Sequence, residues 1–284
     1  MRAFVSRNLK VFFRDRASVF FSLLAVFIII GMYVLFLGDV WLQNLPDMPG
    51  AKPLMDSWIM AGLLAVTSMT TTMGAFGTMV DDRAHKLIKD FSASPIRNSQ
   101  IAGGYILSSF TVGVIMTLIT FVLAELYIVG GGGAFLPFGS LIKMLLLLLL
   151  SALCNTAMVS FLISFFKSNN AFGTASSIIG TLIGFLTGIY LPIGMLPEGI
   201  QFVIKIFPVS HAALLLRQVM MEAPMQTVFA GAPAEMVEGF QQEMGVLFKM
   251  GDTYMTGLTS ILILVGSALV FYALSIWRYS KKSK

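Results

Sequence analysis

Six long apolar stretches, almost free of charged residues, constrain the fold of this chain more than any other feature. They cover residues 17–38, 57–80, 101–129, 141–166, 171–191 and 254–277. The first contains no Asp, Glu, Lys or Arg in 22 positions. A helix needs about 20 mostly apolar residues to cross a bilayer. The pattern therefore predicts an all-α integral membrane protein, a single transmembrane domain over 1–284 with six transmembrane helices.

The overall composition excludes a soluble globular protein. Hydrophobic residues make up 57% of the chain and charged residues only 12%, and the mean hydropathy is +0.85. Soluble domains have about 45–50% apolar and ~25% charged residues. The stretch 17–38 is too long for the core of a signal peptide, so we expect it to be a retained span. The single cysteine, Cys154, excludes an intrachain disulfide.

The distribution of basic residues predicts how the spans are oriented. Six spans place both termini on one side of the membrane. The N-terminus, the loop 81–100, the turn 167–170 and the C-terminal tail together hold 14 of the 19 Lys and Arg residues. Because basic residues favour the cytoplasmic side, we expect both termini in the cytoplasm and a multi-pass protein of the plasma or inner membrane. Topology thus accounts for the net charge of +5, and no nucleic-acid partner is needed.

Residues 192–221 are apolar enough to suggest a seventh span. However, Pro197 and Pro208 interrupt the segment, and Lys205, His211 and Arg217 lie within it. A seventh crossing would also place the basic tail outside, against the charge bias. The pattern favours a pair of re-entrant helices that dip into the outer leaflet after the fifth span. Residues 222–253 are then an external loop.

Residues 81–95 form the most charged segment between two spans, with six formal charges within 81–90. Its apolar residues Ala84, Leu87, Ile88 and Phe91 recur at the spacing of one helical face. The pattern predicts a short amphipathic helix on the cytoplasmic side. A soluble partner is expected to bind it.

Residues 1–16 predict a second amphipathic helix, lying in the membrane interface. One face carries Val5, Leu9 and Phe12, and the opposite, basic face is expected to meet anionic headgroups. The basic residues are Arg7, Lys10 and Arg14. The alternative is a simple positive flank of the first span, which explains the charges but not the spacing of the apolar residues.

Small and polar residues inside the spans mark further candidates. Ser176, Gly180, Gly184 and Gly188 repeat every fourth position, which predicts a smooth ridge for helix packing within the subunit or between two subunits. Hydroxyl groups are frequent in the second span and favour bonds between helices; they belong to Thr67, Ser68, Thr70, Thr71 and Thr72. Glu125, near the external end of the third span, is a pathway candidate. It could couple to protons or simply reach headgroup water.

Motifs of catalysis are missing from the sequence. It contains no Gly-x-x-x-x-Gly-Lys-Ser/Thr motif and therefore no P-loop. His85 and His211 are too few and too far apart in the predicted topology for a metal site. We therefore expect no enzyme active site and no bound metal.

The arrangement resembles the permease subunit of type-2 ABC exporters, a family of six-span half-transporters. Residues 7–24 are similar to its interfacial elbow helix, 81–95 to its cytoplasmic coupling helix, and 188–217 to its proline-punctuated re-entrant segment. The resemblance covers essentially the whole chain. The family's coupling segment usually opens with glutamates and carries a glycine, where this chain has DDRAHK.

The resemblance implies a division of labour between chains. Two copies of the subunit, or this one and a paralogue, would pack around a twofold axis above two cytosolic ABC ATPases. ATP and Mg would be bound by those ATPases and not by this chain. Residues of the coupling helix would dock into a groove on the ATPase: Leu87, Ile88 and Phe91 within it, and Arg83, Lys86 and Lys89 at its rim.

Three transport functions are consistent with these patterns, and a membrane scaffold or immunity protein that transports nothing is a further alternative. Smooth apolar spans with nineteen methionines favour export of an amphipathic small molecule, drug, antibiotic or peptide. Export of a polysaccharide or lipid-linked glycan by the same fold is the second, although the three tryptophans lie near span ends as interface anchors. A secondary transporter without an ATPase is the third, and it predicts paired intramembrane charges and internal repeats.

Overall fold

A computed structural model describes residues 1–33, 35, 49–93, 96–166 and 168–282. Within them the chain forms a helical bundle with one small hairpin. The helices are α1 (Arg2–Arg14), α2 (Arg16–Met32), α3 (Ala51–Ala84), α4 (Leu87–Ala93), α5 (Asn98–Gly130), α6 (Phe138–Ile163), α7 (Asn169–Leu186), α8 (Glu198–Ile206), α9 (Pro208–Met220), α10 (Glu222–Val228), α11 (Ala234–Glu243) and α12 (Gly257–Lys282). Strands β1 (Phe248–Met250) and β2 (Thr253–Met255) pair antiparallel, with Lys249 opposite Tyr254.

The long helix α3 is the centre of the bundle. It packs against α2, α5, α6, α7, α9 and α10. Because neighbours surround it, its side chains are buried on every face, and Trp58, Leu63 and Leu64 have no exposed surface. A helix that is apolar all round is buried rather than amphipathic, which explains the missing charge between 57 and 80.

Within the described residues, four helices are long and apolar enough to cross a membrane: α3, α5, α6 and α12. Two bent pairs, α1 with α2 and α8 with α9, would each add one span if each pair crosses as a unit. The helix predicted as the fifth span, α7, is not in either group. The count of six spans therefore stays a prediction.

The ends of several helices differ from the predicted spans. The fifth was predicted to reach residue 191, but α7 ends at Leu186, and Gly188 follows with a positive φ of 68°. The last was predicted from residue 254, but the β hairpin occupies 248–255 and α12 begins at Gly257. The last part of the first predicted span, including residues 36–38, lies outside the described residues.

The predicted re-entrant segment contains two short helices, α8 and α9, which meet at 86°. Pro208 is the first residue of α9, where its missing N–H costs no helical hydrogen bond. His211 Nε2 donates to the carbonyl of Lys205 at 2.8 Å. Its other ring nitrogen therefore accepts from the hydroxyl of Ser260 on α12, at 3.0 Å. This buried histidine holds the bend against the last helix, while the position of the segment in the membrane stays a prediction.

The predicted loop 222–253 is an ordered small layer that contains α10, α11 and β1. Hydrogen bonds from α3 and α9 attach it to the bundle. Trp58 Nε1 on α3 donates to the carbonyl of Met244 at 2.7 Å, and Gln218 Nε2 on α9 donates to the carbonyl of Val246 at 2.9 Å. The layer therefore closes one end of α3.

The single amphipathic helix predicted over 81–95 is wrong in its extent. The helix α3 continues to Ala84, and a turn at His85 and Lys86 follows before α4 begins at Leu87. Lys86 has a φ of 63°, which interrupts the helix. Residues 94 and 95 lie outside the described residues. The charged residues of the predicted helix therefore divide between the end of α3 and the short α4.

Candidate functional site

The α3–α4 junction, defined as residues 81–91, collects the charged residues that the sequence marked as a binding surface. Its first three residues each contact a different neighbour. Asn169 Nδ2 at the start of α7 donates to Asp81 Oδ1 at 2.9 Å. Arg83 Nη1 donates to the carbonyl of Ile163 at the end of α6, at 3.1 Å. Successive helical positions point in directions about 100° apart, so consecutive residues reach separate helices.

Asp82 lies between these two and is almost fully buried, with 2% of its surface exposed. Arg7 on α1 holds both carboxylate oxygens: Nη2 donates to Oδ1 at 2.9 Å, and Nη1 donates to Oδ2. Tyr105 on α5 donates its hydroxyl to Oδ2 at 2.6 Å. The hydrogen bond to Asp82 raises the pKa of Arg7 above its usual value. Asp82 therefore joins three helices through charge-assisted hydrogen bonds.

An aromatic cluster surrounds this ion pair. The ring of Phe4 on α1 packs edge-on against Phe91 on α4, with 5.2 Å between centroids, and against Tyr105 on α5 at 5.0 Å. The guanidinium of Arg7 lies 5.3 Å from the centroid of Phe91. Gly104 leaves room for Phe4, since a Cβ there would lie 2.5 Å from its Cδ1 atom. The short helix α4 is thus attached to the bundle through α1.

These contacts divide the residues predicted to dock an ATPase. Leu87 is 37% exposed, Lys86 is exposed and Ile88 is half-buried. Arg83 instead caps α6, and Phe91 packs against Phe4. Arg83 and Phe91 therefore make contacts within the subunit, and their docking to an ATPase stays a prediction. The ring that covers Phe91 comes from the chain's own N-terminus.

The N-terminal helix was predicted to turn a basic face toward lipid headgroups, and this is wrong for Arg7. The buried residues of α1 are Phe4, Asn8 and Phe12, while Val5 and Leu9 are half-buried and Lys10 and Arg14 are exposed. Asn8 Nδ2 donates to Ser108 Oγ on α5 at 3.3 Å. Asn8 was missed because a polar side chain adds nothing to an apolar periodicity, even though it lies on the same helical face as Phe4 and Phe12.

Comparison with known protein families decides the class of this chain. The model of the "ABC-2 family transporter protein" family matches residues 47–277. The chain belongs to the ABC-2 transporter family. The resemblance to an ABC permease and the all-α membrane fold are thereby confirmed. The match includes the α3–α4 junction and the α8–α9 bend, whereas α1 lies outside it. Comparison with curated proteins gave no match.

The small residues predicted to form a ridge on α7 of this ABC-2 permease do not all have the same surroundings. A Cβ on Gly184 would lie 2.2 Å from the Tyr190 ring, and Gly188 lies beyond the end of α7 with a positive φ. A Cβ on Gly180, by contrast, would meet no atom within 4 Å. Gly184 and Gly188 therefore make contacts within the subunit. Ser176 and Gly180 line an open cleft.

The cleft lies between α3 and α7 of the permease and has a volume of about 220 Å³. Its lining is apolar and small: Met69, Thr70, Met73, Gly74, Phe172, Gly173, Ser176, Ile179 and Gly180. The hydroxyl groups of the second span mostly bond within α3, as Thr67 does to the carbonyl of Leu63. Ser68 instead accepts from Asn155 Nδ2 on α6 at 3.0 Å, and Thr72 Oγ1 has no hydrogen-bond partner among the described residues.

Two acidic residues lie toward the opposite end of the permease from the α3–α4 junction. Glu125 Oε2 accepts from the backbone N–H of Leu136 at 3.1 Å, so this carboxylate fastens the connection between α5 and α6. A role for Glu125 in the pathway stays a prediction. Asp56 is fully buried in α3. It was missed because the predicted span began one residue later, at 57.

Proposed function

We propose that this permease is the membrane subunit of an ATP-driven exporter, and that a cytosolic ABC ATPase binds at the α3–α4 junction. The family supplies the transporter role. The observation that supports the docking site is Leu87, an apolar side chain 37% exposed on a charged turn between two long apolar helices. The ATPase binds ATP and Mg, since this sequence has no P-loop.

Export of an amphipathic small molecule, drug, antibiotic or peptide is the proposed activity. The apolar cleft between α3 and α7 supports it, because methionine and small residues accept ligands of varied shape. Drug-sized sites usually have volumes of ~300–1,000 Å³, so one subunit offers too little room. A second permease, either another copy or a paralogue, would complete the site across the open side of the cleft.

Substitution of Leu87 tests the docking site. The tagged permease is purified in mild detergent with its ATPase, which is identified by its Walker motifs and by vanadate-sensitive ATP hydrolysis. We expect Leu87→Asp to reduce the co-purified ATPase by at least about tenfold, because a charge would replace an apolar anchor of the interface. Membrane insertion is expected to persist.

Met250→Asp is the matched control. Met250 is 39% exposed on β1, in the layer predicted to be external, where a cytosolic ATPase has no access. This variant should retain the ATPase. Normal co-purification with Leu87→Asp would contradict the docking site, and failure of the unmodified permease to retain any ABC ATPase would contradict the proposed function.

A further inference from the structure

Two sets of contacts, which share Arg7, hold the docking helix α4 and its neighbours together: one joins α1 and α5 to the end of α3, and the other joins α1 to α4 and α5. The first is the ion pair in which Arg7 and Tyr105 occupy both oxygens of Asp82. The second is the Phe4 ring, which contacts Phe91 and Tyr105 at once. Arg7 belongs to both sets because its guanidinium also lies over Phe91.

The need for such an attachment follows from the shape of the junction. The helix α4 has only seven residues, and an isolated helix of that length is not stable in water. The turn at Lys86 separates α4 from α3. A movement of α4 therefore does not pass to α3 rigidly through the backbone alone. A bidentate arginine–carboxylate pair fixes orientation as well as distance.

We propose that Asp82 is the positioning residue that couples the docking helix to the spans. Asp82 holds Arg7 and Tyr105, and Phe4 and Arg7 of α1 in turn hold Phe91 of α4, so α1, α4 and the ends of α3 and α5 form one rigid body. Displacement of α4 by the ATPase then moves the central helix α3 through α1. The proposal rests on the proposed function. Asp82 is the second residue of the unusual DDRAHK sequence. In this proposal Asp82 acts within the subunit, whereas α4 recognises the ATPase.

The first step of the test is a reporter in the cleft. Gly74 lies on α3, and a Cβ there would meet no atom within 4 Å, so Gly74→Cys is expected to be tolerated. The native Cys154 is buried and should not react. The rate of maleimide labelling is compared in the permease–ATPase complex without nucleotide and after trapping with ATP and vanadate. In this parent protein we expect the two rates to differ, because trapping moves α3.

Asp82→Asn and Arg7→Gln remove the ion pair from its two sides. We expect each to decrease the nucleotide-dependent change in labelling by about tenfold, the effect of losing a charged hydrogen bond, while the ATPase still co-purifies. Arg7→Lys, which retains charge but not the bidentate geometry, should restore part of the change. Asp252→Asn is the control, since Asp252 is exposed in the β hairpin and lies outside the α3–α4 junction.

The outcomes separate the two proposals. A normal labelling change in Asp82→Asn or Arg7→Gln would overturn the positioning role, and so would loss of the ATPase from both variants, because Asp82 would then only shape the docking surface. An equal loss in Asp252→Asn would also overturn it. If the parent retains no ATPase, the proposed function fails, and the positioning role fails with it. Because Arg7 is one-third exposed, its variant provides the test if Asp82→Asn does not fold.

Discussion

At the scale of single residues, Arg217 is the most unusual side chain of the bundle. It has no exposed surface and lies within α9. Its Cζ atom is 4.8 Å from the ring of Trp58, and Nη2 donates to the carbonyl of Gly188 at 3.3 Å. Within the described residues, Nε and Nη1 have no hydrogen-bond partner. The cost of burying this charge therefore offsets most of what its contacts contribute.

We predict that Arg217→Met changes stability little, because Met fills a similar volume without a charge to desolvate. The thermal midpoint in detergent should stay within about 4 °C of wild type, the shift that ~1 kcal/mol produces in a protein of this size. Arg217→Glu, which keeps a charge but reverses it, should lower the midpoint further. A large decrease with Arg217→Met would show that the cation is a net stabilising contact.

At the scale of helices, α3 and α5 pack by close approach in their middle, in addition to the hydrogen bond from Tyr105 to Asp82 at one end. Gly113 on α5 faces Thr72 on α3, and a Cβ at residue 113 would lie 2.4 Å from Thr72 Oγ1. Both positions are buried. Small residues permit such contacts between membrane helices. The sequence predicted a small-residue ridge on α7, but this close contact occurs on α5.

Two glycine substitutions test this interpretation. Gly113→Ala should lower the free energy of unfolding by about 1–3 kcal/mol, since the added methyl group overpacks a buried interface. Gly180→Ala, which meets no neighbour within 4 Å in this subunit, should leave it unchanged or raise it by up to about 1 kcal/mol. Both are measured by unfolding the purified subunit in mixed detergent micelles. Equal effects of the two substitutions would contradict the packing argument.

At the scale of the whole molecule, the two ends of the bundle are predicted to face opposite sides of the membrane. The α3–α4 junction and the layer of α11 and β1 lie at opposite ends of α3. The basic residues predict the junction to be cytoplasmic. The side on which the C-terminal tail lies depends on α8 and α9. If these helices cross the membrane, every later segment lies on the opposite side from the one predicted.

Labelling with a membrane-impermeant maleimide tests the topology. Asp252→Cys and Gly139→Cys, both exposed, should react in intact cells. Lys89→Cys on α4, also exposed, should react only after the membrane is permeabilised. If Gly139→Cys reacts in intact cells but Asp252→Cys does not, α8 and α9 cross the membrane as a span, and the prediction of re-entrant helices is wrong.

The apolar stretches predicted the positions of α3, α5, α6 and α12 closely. They did so because membrane helices are apolar both where they face lipid and where they face another helix. For the same reason, hydropathy could not show that α3 lies at the centre and α12 near the edge. It also placed the end of the fifth helix too late, since residues 187–191 continue the apolar run but turn at Gly188.

The segment 81–95 shows which contacts the sequence pattern could not predict. The periodicity of Ala84, Leu87, Ile88 and Phe91 predicted one helical face, but Ala84 ends α3 and is exposed, and Leu87 is 37% exposed on α4. The pattern also could not identify the partner of Phe91. Phe91 meets Phe4, which lies 87 positions earlier in the chain, and Asp82 meets Arg7 across 75 positions. No local rule relates residues at such separations.

Hydropathy and the distribution of charge were sufficient for the membrane class, the helical fold and the family resemblance, because these depend on properties that add along the chain. The partners of Arg7, Asp82, Arg83 and Phe91 emerged only from the packing of the helices. A charged side chain near a span end is stabilised equally well by headgroups, by a partner protein or by an opposite charge on a neighbouring helix. Which of these it meets depends on the relative positions of whole helices.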